Sequence, residues 1–81
     1  MDVYFYTKEG CPLCEKAEGA LESLVGKYSL TVYRIDIGYD QEAYRKYRDM
    51  IPVIELPDGN VLLWGRIDRD EIERGLRSSF K

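Results

Sequence analysis

Along this chain the hydrophobic positions alternate between a strand-like period and a helical one, and each change is marked by a glycine, a proline or a capping residue. Val3-Tyr4-Phe5-Tyr6-Thr7 is aromatic and β-branched and apolar on both faces, which predicts a strand inside a covered sheet. Lys8-Glu9-Gly10 ends it. Pro12 suits the first position of a helix; Leu13, Ala17, Ala20, Leu21, Leu24 and Val25 follow at helical spacing, and Gly26 marks the expected stop. Leu30 to Ile37 then predicts a second strand, reached through a helix and therefore expected to run parallel to the first.

The second half follows the same grammar. Asp40 is placed to cap a short helix through about Arg48, with Ala43, Tyr44 and Tyr47 as its narrow apolar face. Val53-Ile54-Glu55-Leu56 and Val61-Leu62-Leu63-Trp64 flank the turn residues Pro57-Asp58-Gly59-Asn60 and predict an antiparallel hairpin. Asp68 and Glu71 have capping-box spacing, and Ile72, Leu76 and Phe80 recur helically beyond them. The predicted order is β-α-β-α-β-β-α, with no linker, repeat or low-complexity segment.

Composition narrows the function classes. Eighty-one residues predict a single domain, 1–81, with a modest core. Hydrophobic content of 44% and charged content of 33% fit a folded globular chain. A net charge of -3 with dispersed basic residues argues against a nucleic-acid partner. No apolar run has the length of a membrane span, and Met1-Asp2-Val3-Tyr4 lacks the basic segment of a signal peptide, so a cytoplasmic, reducing setting is expected.

Against that background the two cysteines carry the chemistry. Cys11-Pro12-Leu13-Cys14 holds the only two thiols of the chain, at the predicted junction of strand and helix. Three-residue spacing lets the sulfurs meet within one turn, and a helix start there sets the first sulfur beside unpaired amides that favour its thiolate. Competing uses are a structural disulfide or a pair of buried thiols, half of a metal site, and a sensor or idle motif on a binding module. A staple closing so small a loop constrains the unfolded chain little. A zinc or iron–sulfur site needs further ligands, and without a histidine or a third cysteine only a dimer or an external thiol could supply them. A CxxC near a βαβ pattern points instead to redox chemistry.

Thr7-Lys8-Glu9-Gly10-Cys11-Pro12-Leu13-Cys14 resembles the active-site segment of glutaredoxins, with a lysine three residues before the first cysteine, and Ile51-Pro52-Val53 resembles their cis-proline segment. The resemblance spans nearly the whole chain. Asp36-Ile37, Tyr47, Ile51-Pro52-Val53 and Asp58-Gly59 are similar to a group of small glutaredoxin-like proteins. It implies a thioredoxin fold, an α/β architecture with a four-stranded mixed sheet flanked by helices. By the same resemblance the protein is a monomeric thiol–disulfide oxidoreductase with no tightly bound cofactor and no metal. Glutathione is its co-substrate, and glutathione mixed disulfides or disulfide-bearing proteins are its partners.

The residue roles follow from the resemblance. Cys11 is the nucleophile, its thiol held below the ordinary value by helix-start amides and Lys8, with Glu9 and Glu15 opposing. Cys14 resolves the mixed disulfide. Pro12 fixes the backbone between the sulfurs, and Pro52 lies against the CxxC. Ile51 offers backbone N–H and C=O to an extended substrate. Lys8, Leu13, Gly65 and Asp68 complete the substrate site, Asp68 matching the acidic residue that holds a γ-glutamyl amine. Three positions depart from the family pattern: Leu13 for an aromatic residue, Met50-Ile51 for threonine-valine, and Trp64-Gly65-Arg66 for a double glycine. A thioredoxin-like protein served by a reductase or partner, without glutathione, is the alternative within the same chemistry.

Overall fold

The structure is a computed structural model that describes residues 1–79. It contains β1 (Asp2–Thr7), α1 (Pro12–Glu22), α2 (Val25–Tyr28), β2 (Thr31–Asp36), a 3-10 turn (Ile37–Tyr39), α3 (Gln41–Tyr47), β3 (Val53–Glu55), β4 (Val61–Trp64) and α4 (Arg69–Ser79). The strands form one sheet in the order β2-β1-β3-β4. β1 and β2 are parallel, whereas β1 with β3 and β3 with β4 are antiparallel. This is the mixed sheet the sequence predicts. Phe80 lies outside the described residues.

One face of the sheet carries the core. Val3 and Phe5 of β1 and Ile54 of β3 pack against Ala17 and Leu21 of α1 and Ile72 and Leu76 of α4, closed by Leu24, Leu30 and Ile67. At Gly75 helix and strand approach closely, since an added Cβ would lie 3.1–3.3 Å from three atoms of Leu62. Among the described residues, no helix is long and apolar enough to cross a membrane.

Three expectations are corrected. The helix predicted to end at Gly26 is two pieces. The Ser23 hydroxyl donates to the Ala20 carbonyl (2.6 Å) and the Leu24 amide reaches back only to Leu21 (3.0 Å), which tightens and ends α1. Gly26 then lies inside α2, and Ser29 is the residue that turns left-handed, at φ 52°. The Leu30 amide closes on the Val25 carbonyl (3.0 Å), a Schellman end made worthwhile by the burial of Leu30. The second correction concerns cover: β1 is not buried on both faces. Tyr4 and Tyr6 are half-buried because seven-residue α3 is too short to shield that face, and Tyr4 stacks on Tyr33 of β2 with ring centres 5.2 Å apart. Ile37, expected in β2, is the buried first residue of the 3-10 turn.

Glu73 of α4 ties α2 down. It accepts from Lys27, from the Tyr28 hydroxyl (2.7 Å) and from Arg77 (3.4 Å). The hydrogen bond from Lys27, then that from Tyr28, hold its carboxyl at about 2.

Candidate functional site

The chain leaves β1 at Thr7 and turns through Gly10, whose φ of +78° is left-handed and natural to glycine. That turn delivers Cys11 as the N-cap of α1, with Pro12 at its first position. The Cys11 Sγ accepts the Cys14 amide at 3.2 Å, and the Cys11 carbonyl accepts the Glu15 amide at 3.1 Å. Cys11 therefore stands where hydroxyl or carboxylate oxygens ordinarily cap a helix, an environment that stabilises a negative sulfur. The two cysteines are paired as a disulfide, their Cα atoms 5.2 Å apart. They differ in access: Cys11 is partly exposed, whereas Cys14 is 1% exposed.

Pro52 arrives from the other side. The Ile51–Pro52 peptide bond is cis. β1 and β3 pair Tyr6 with Val53, and continuing that register by one residue sets Pro52 opposite Thr7, at the sheet end from which the cysteine loop springs. The Ile51 amide donates to the Tyr47 carbonyl at 3.1 Å, so one of its two expected substrate-binding groups already has an internal partner. Gly65, at φ +80°, turns its amide onto both the Met50 carbonyl (3.0 Å) and the Pro52 carbonyl (2.8 Å). It fastens the proline loop. Trp64, paired with Val53 and 57% exposed, stands beside that fastening.

Leu13, 38% exposed, and Asp68 line one open groove of about 310 Å³ together with Lys16, Arg66, Ile67 and Glu71. Asp68 is already committed there. Its carboxylate accepts the Glu71 amide (2.8 Å) and its own amide donates to Glu71 Oε1 (3.3 Å), the capping box the spacing predicts. Lys8 lies on the opposite side, with its ammonium 5.8 Å from the centre of the Tyr44 ring. It lines a wider depression of about 780 Å³ with Tyr39, Asp40 and Arg45. Sequence reasoning missed Lys16 and Arg66 as groove residues. Lys16 follows Leu13 by three positions on one helix face, a spacing that would have found it; Arg66 gave no such signal.

A second group escaped the sequence altogether. Glu55 in β3 is buried and accepts from the Tyr47 hydroxyl and from the Tyr6 hydroxyl (3.2 Å), with Lys46 Nζ at 3.6 Å. Burial first, then the Glu55 charge, push the Tyr6 phenol up to about 12. Burial and the bond to Glu55 push Tyr47 up as well, while the bond to Tyr47 raises Lys46. Lys46 itself stays largely exposed and reaches this carboxylate from the solvent side of α3. Among the described residues, no group of three or more His, Cys, Asp or Glu side chains is placed to hold a metal ion.

Three solved structures share this architecture. A structural genomics target protein from X. campestris is 22% identical, with 94% of this chain and 96% of that chain covered and a TM-score of 0.77. A protein from Nitrosomonas europaea, solved in solution by NMR, is 28% identical over 90% of this chain and 87% of its own, at a TM-score of 0.74. A mutant thioredoxin from Halobacterium salinarum is 20% identical, with 99% of this chain and 74% of that chain covered and a TM-score of 0.78. The fold is the thioredoxin fold, and with the Cys11–Cys14 pair it fits a redox protein. The glutaredoxin-like domain family (DUF836) matches residues 2–77, and the chain belongs to that family.

Proposed function

We propose that the protein is a dithiol thiol–disulfide oxidoreductase working in the cytoplasm. The observation that carries this reading is the inequality of the two sulfurs: Cys11 is a partly exposed helix cap, and Cys14 is buried one turn behind it. The Cys11 thiolate attacks one sulfur of a substrate disulfide, forming a mixed disulfide and releasing the other sulfur as a thiolate. Cys14, deprotonated, then attacks the Cys11 sulfur, which frees the reduced substrate and leaves the Cys11–Cys14 disulfide. Two glutathione thiols return it to the dithiol and leave as glutathione disulfide.

A specific observation favours a second reading of the electron source. The Ile51 amide and the Asp68 carboxylate, groups by which the family resemblance would hold glutathione, both have internal partners, and Gly65 fastens the proline loop. On this reading a reductase or protein partner supplies the electrons. The deciding experiment supplies glutathione as the sole reductant, with glutathione reductase coupling, and follows turnover of a glutathionylated peptide. Turnover that vanishes in Cys11→Ser supports the glutathione route, and Cys14→Ser is then expected to keep this reaction while losing protein disulfides. No turnover, with the protein disulfide still reducible by dithiothreitol, moves the search to a reductase or partner. A disulfide that equilibrates with neither reagent sinks the catalytic reading in favour of a binding module.

A further inference from the structure

We propose that Glu55 is a positioning residue for the Ile51–Pro52 segment, acting through Tyr47; the inference rests on the thiol–disulfide reading above. Glu55 stands on the sheet face opposite the main core, since its neighbour Ile54 is the β3 residue that packs there. A carboxylate in that setting is expensive to desolvate, and an apolar side chain of similar volume would serve packing at least as well. What it does instead is hold two phenols. Tyr47, 2% exposed, gives its hydroxyl to one carboxylate oxygen, and Tyr6 gives its own to the other at 3.2 Å. The two rings lie 4.7 Å apart, so the Tyr47 side chain is fixed at both its face and its tip.

Tyr47 is also the last residue of α3, and its carbonyl accepts two amides, those of Met50 (2.9 Å) and Ile51 (3.1 Å). The backbone just before Pro52 is therefore hung from the end of a helix too short to hold itself in place. On its other side the same run is tied by the Gly65 amide. The continuous path is Glu55, Tyr47 side chain, Tyr47 carbonyl, Met50 and Ile51 amides, Pro52. None of these contacts belongs to the packing between the sheet and α1 or α4. Loosening the path should thus free the proline loop without melting the core, and a binding surface that is correctly formed only part of the time binds correspondingly more weakly.

The test uses Tyr47→Phe, which keeps the ring and removes the hydroxyl, and Glu55→Gln, which keeps one acceptor oxygen. Amide hydrogen exchange should quicken on the order of tenfold at Met50, Ile51 and Gly65 in Tyr47→Phe, and less in Glu55→Gln, with Val3 and Phe5 following only the change in global stability. In a single-turnover reaction of the reduced protein with a glutathionylated peptide, the half-saturating concentration should rise on the order of tenfold, while the maximal rate stays within about twofold. Alkylation of Cys11 by iodoacetamide, which needs no proline loop, should be unchanged. Equal exchange in variant and wild type, or acceleration shared equally with the core, overturns the proposal; faster exchange with an unaltered half-saturating concentration overturns its functional half. If the wild-type protein leaves the peptide unreacted while dithiothreitol still reduces its disulfide, the glutathione route falls, the half-saturating concentration is read with a disulfide-bearing protein instead, and exchange at the three amides still decides the positioning.

Discussion

Tyr6 and Tyr47 share one buried carboxylate, and both phenols resist ionisation because a second negative charge would stand against Glu55 in a desolvated place. Native protein titrated with base should show a tyrosinate absorbance component delayed to about pH 12, and Glu55→Gln should bring it down. A phenol whose folded value is raised contributes stability below the ordinary phenol value and loses it as pH rises toward the folded one. Denaturant midpoints should therefore fall between about pH 10 and about pH 12, less steeply in Glu55→Gln. At this scale the sequence was legible where chemistry is local. Cys11 and Cys14 declare themselves by spacing, and Pro12 by its place after the first. Glu55 and Glu73 do not, because what makes them matter is Tyr6 and Tyr47, or Lys27 and Tyr28, residues from other elements that no local pattern joins to them.

Among the elements, α4 offers the clearest separation of structure from substrate binding. Asp68→Ala removes a cap and should lower stability by about 1 kcal/mol in urea unfolding. Asp68→Asn caps nearly as well but carries no charge, so it should unfold like wild type. If Asp68 also holds a substrate amine, both variants should raise KM, and Asp68→Asn should do so with no loss of stability. The other face of α4 rests on β4 at Gly75. Gly75→Val should destabilise by about 1–3 kcal/mol through overpacking, and adding Leu62→Ala should recover part of that loss, because the branched side chain then fills the space Leu62 leaves. Caps at Asp40 and Asp68 were readable because they act within three residues. The end of α1 was not: a short back-bond from Ser23 decided it, three residues before the glycine that promised a stop, and the burial of Leu30 set the end of α2 beyond that glycine.

For the molecule as a whole, the order of elements was legible because each carries its own start or stop, and the rule for parallel crossovers does the rest. The incomplete cover of the second sheet face was not, since it depends on the length of α3 against the width of the sheet. A radius of gyration of 11.7 Å is that of a compact 81-residue chain. Its stability should depend little on redox state. The Cys11–Cys14 bond closes a very short loop, so reduction should lower unfolding free energy by no more than about 2 kcal/mol, and the far-ultraviolet dichroism of the reduced protein should match the oxidised form. The same midpoint measured with and without dithiothreitol checks this. The chain has one tryptophan, and it sits on the strand residue next to the glycine that fastens the proline loop. The molecule thus carries its own lamp: without dye or label, the emission of Trp64 reports on that loop as the protein folds, is reduced and meets what it acts upon, all in one cuvette.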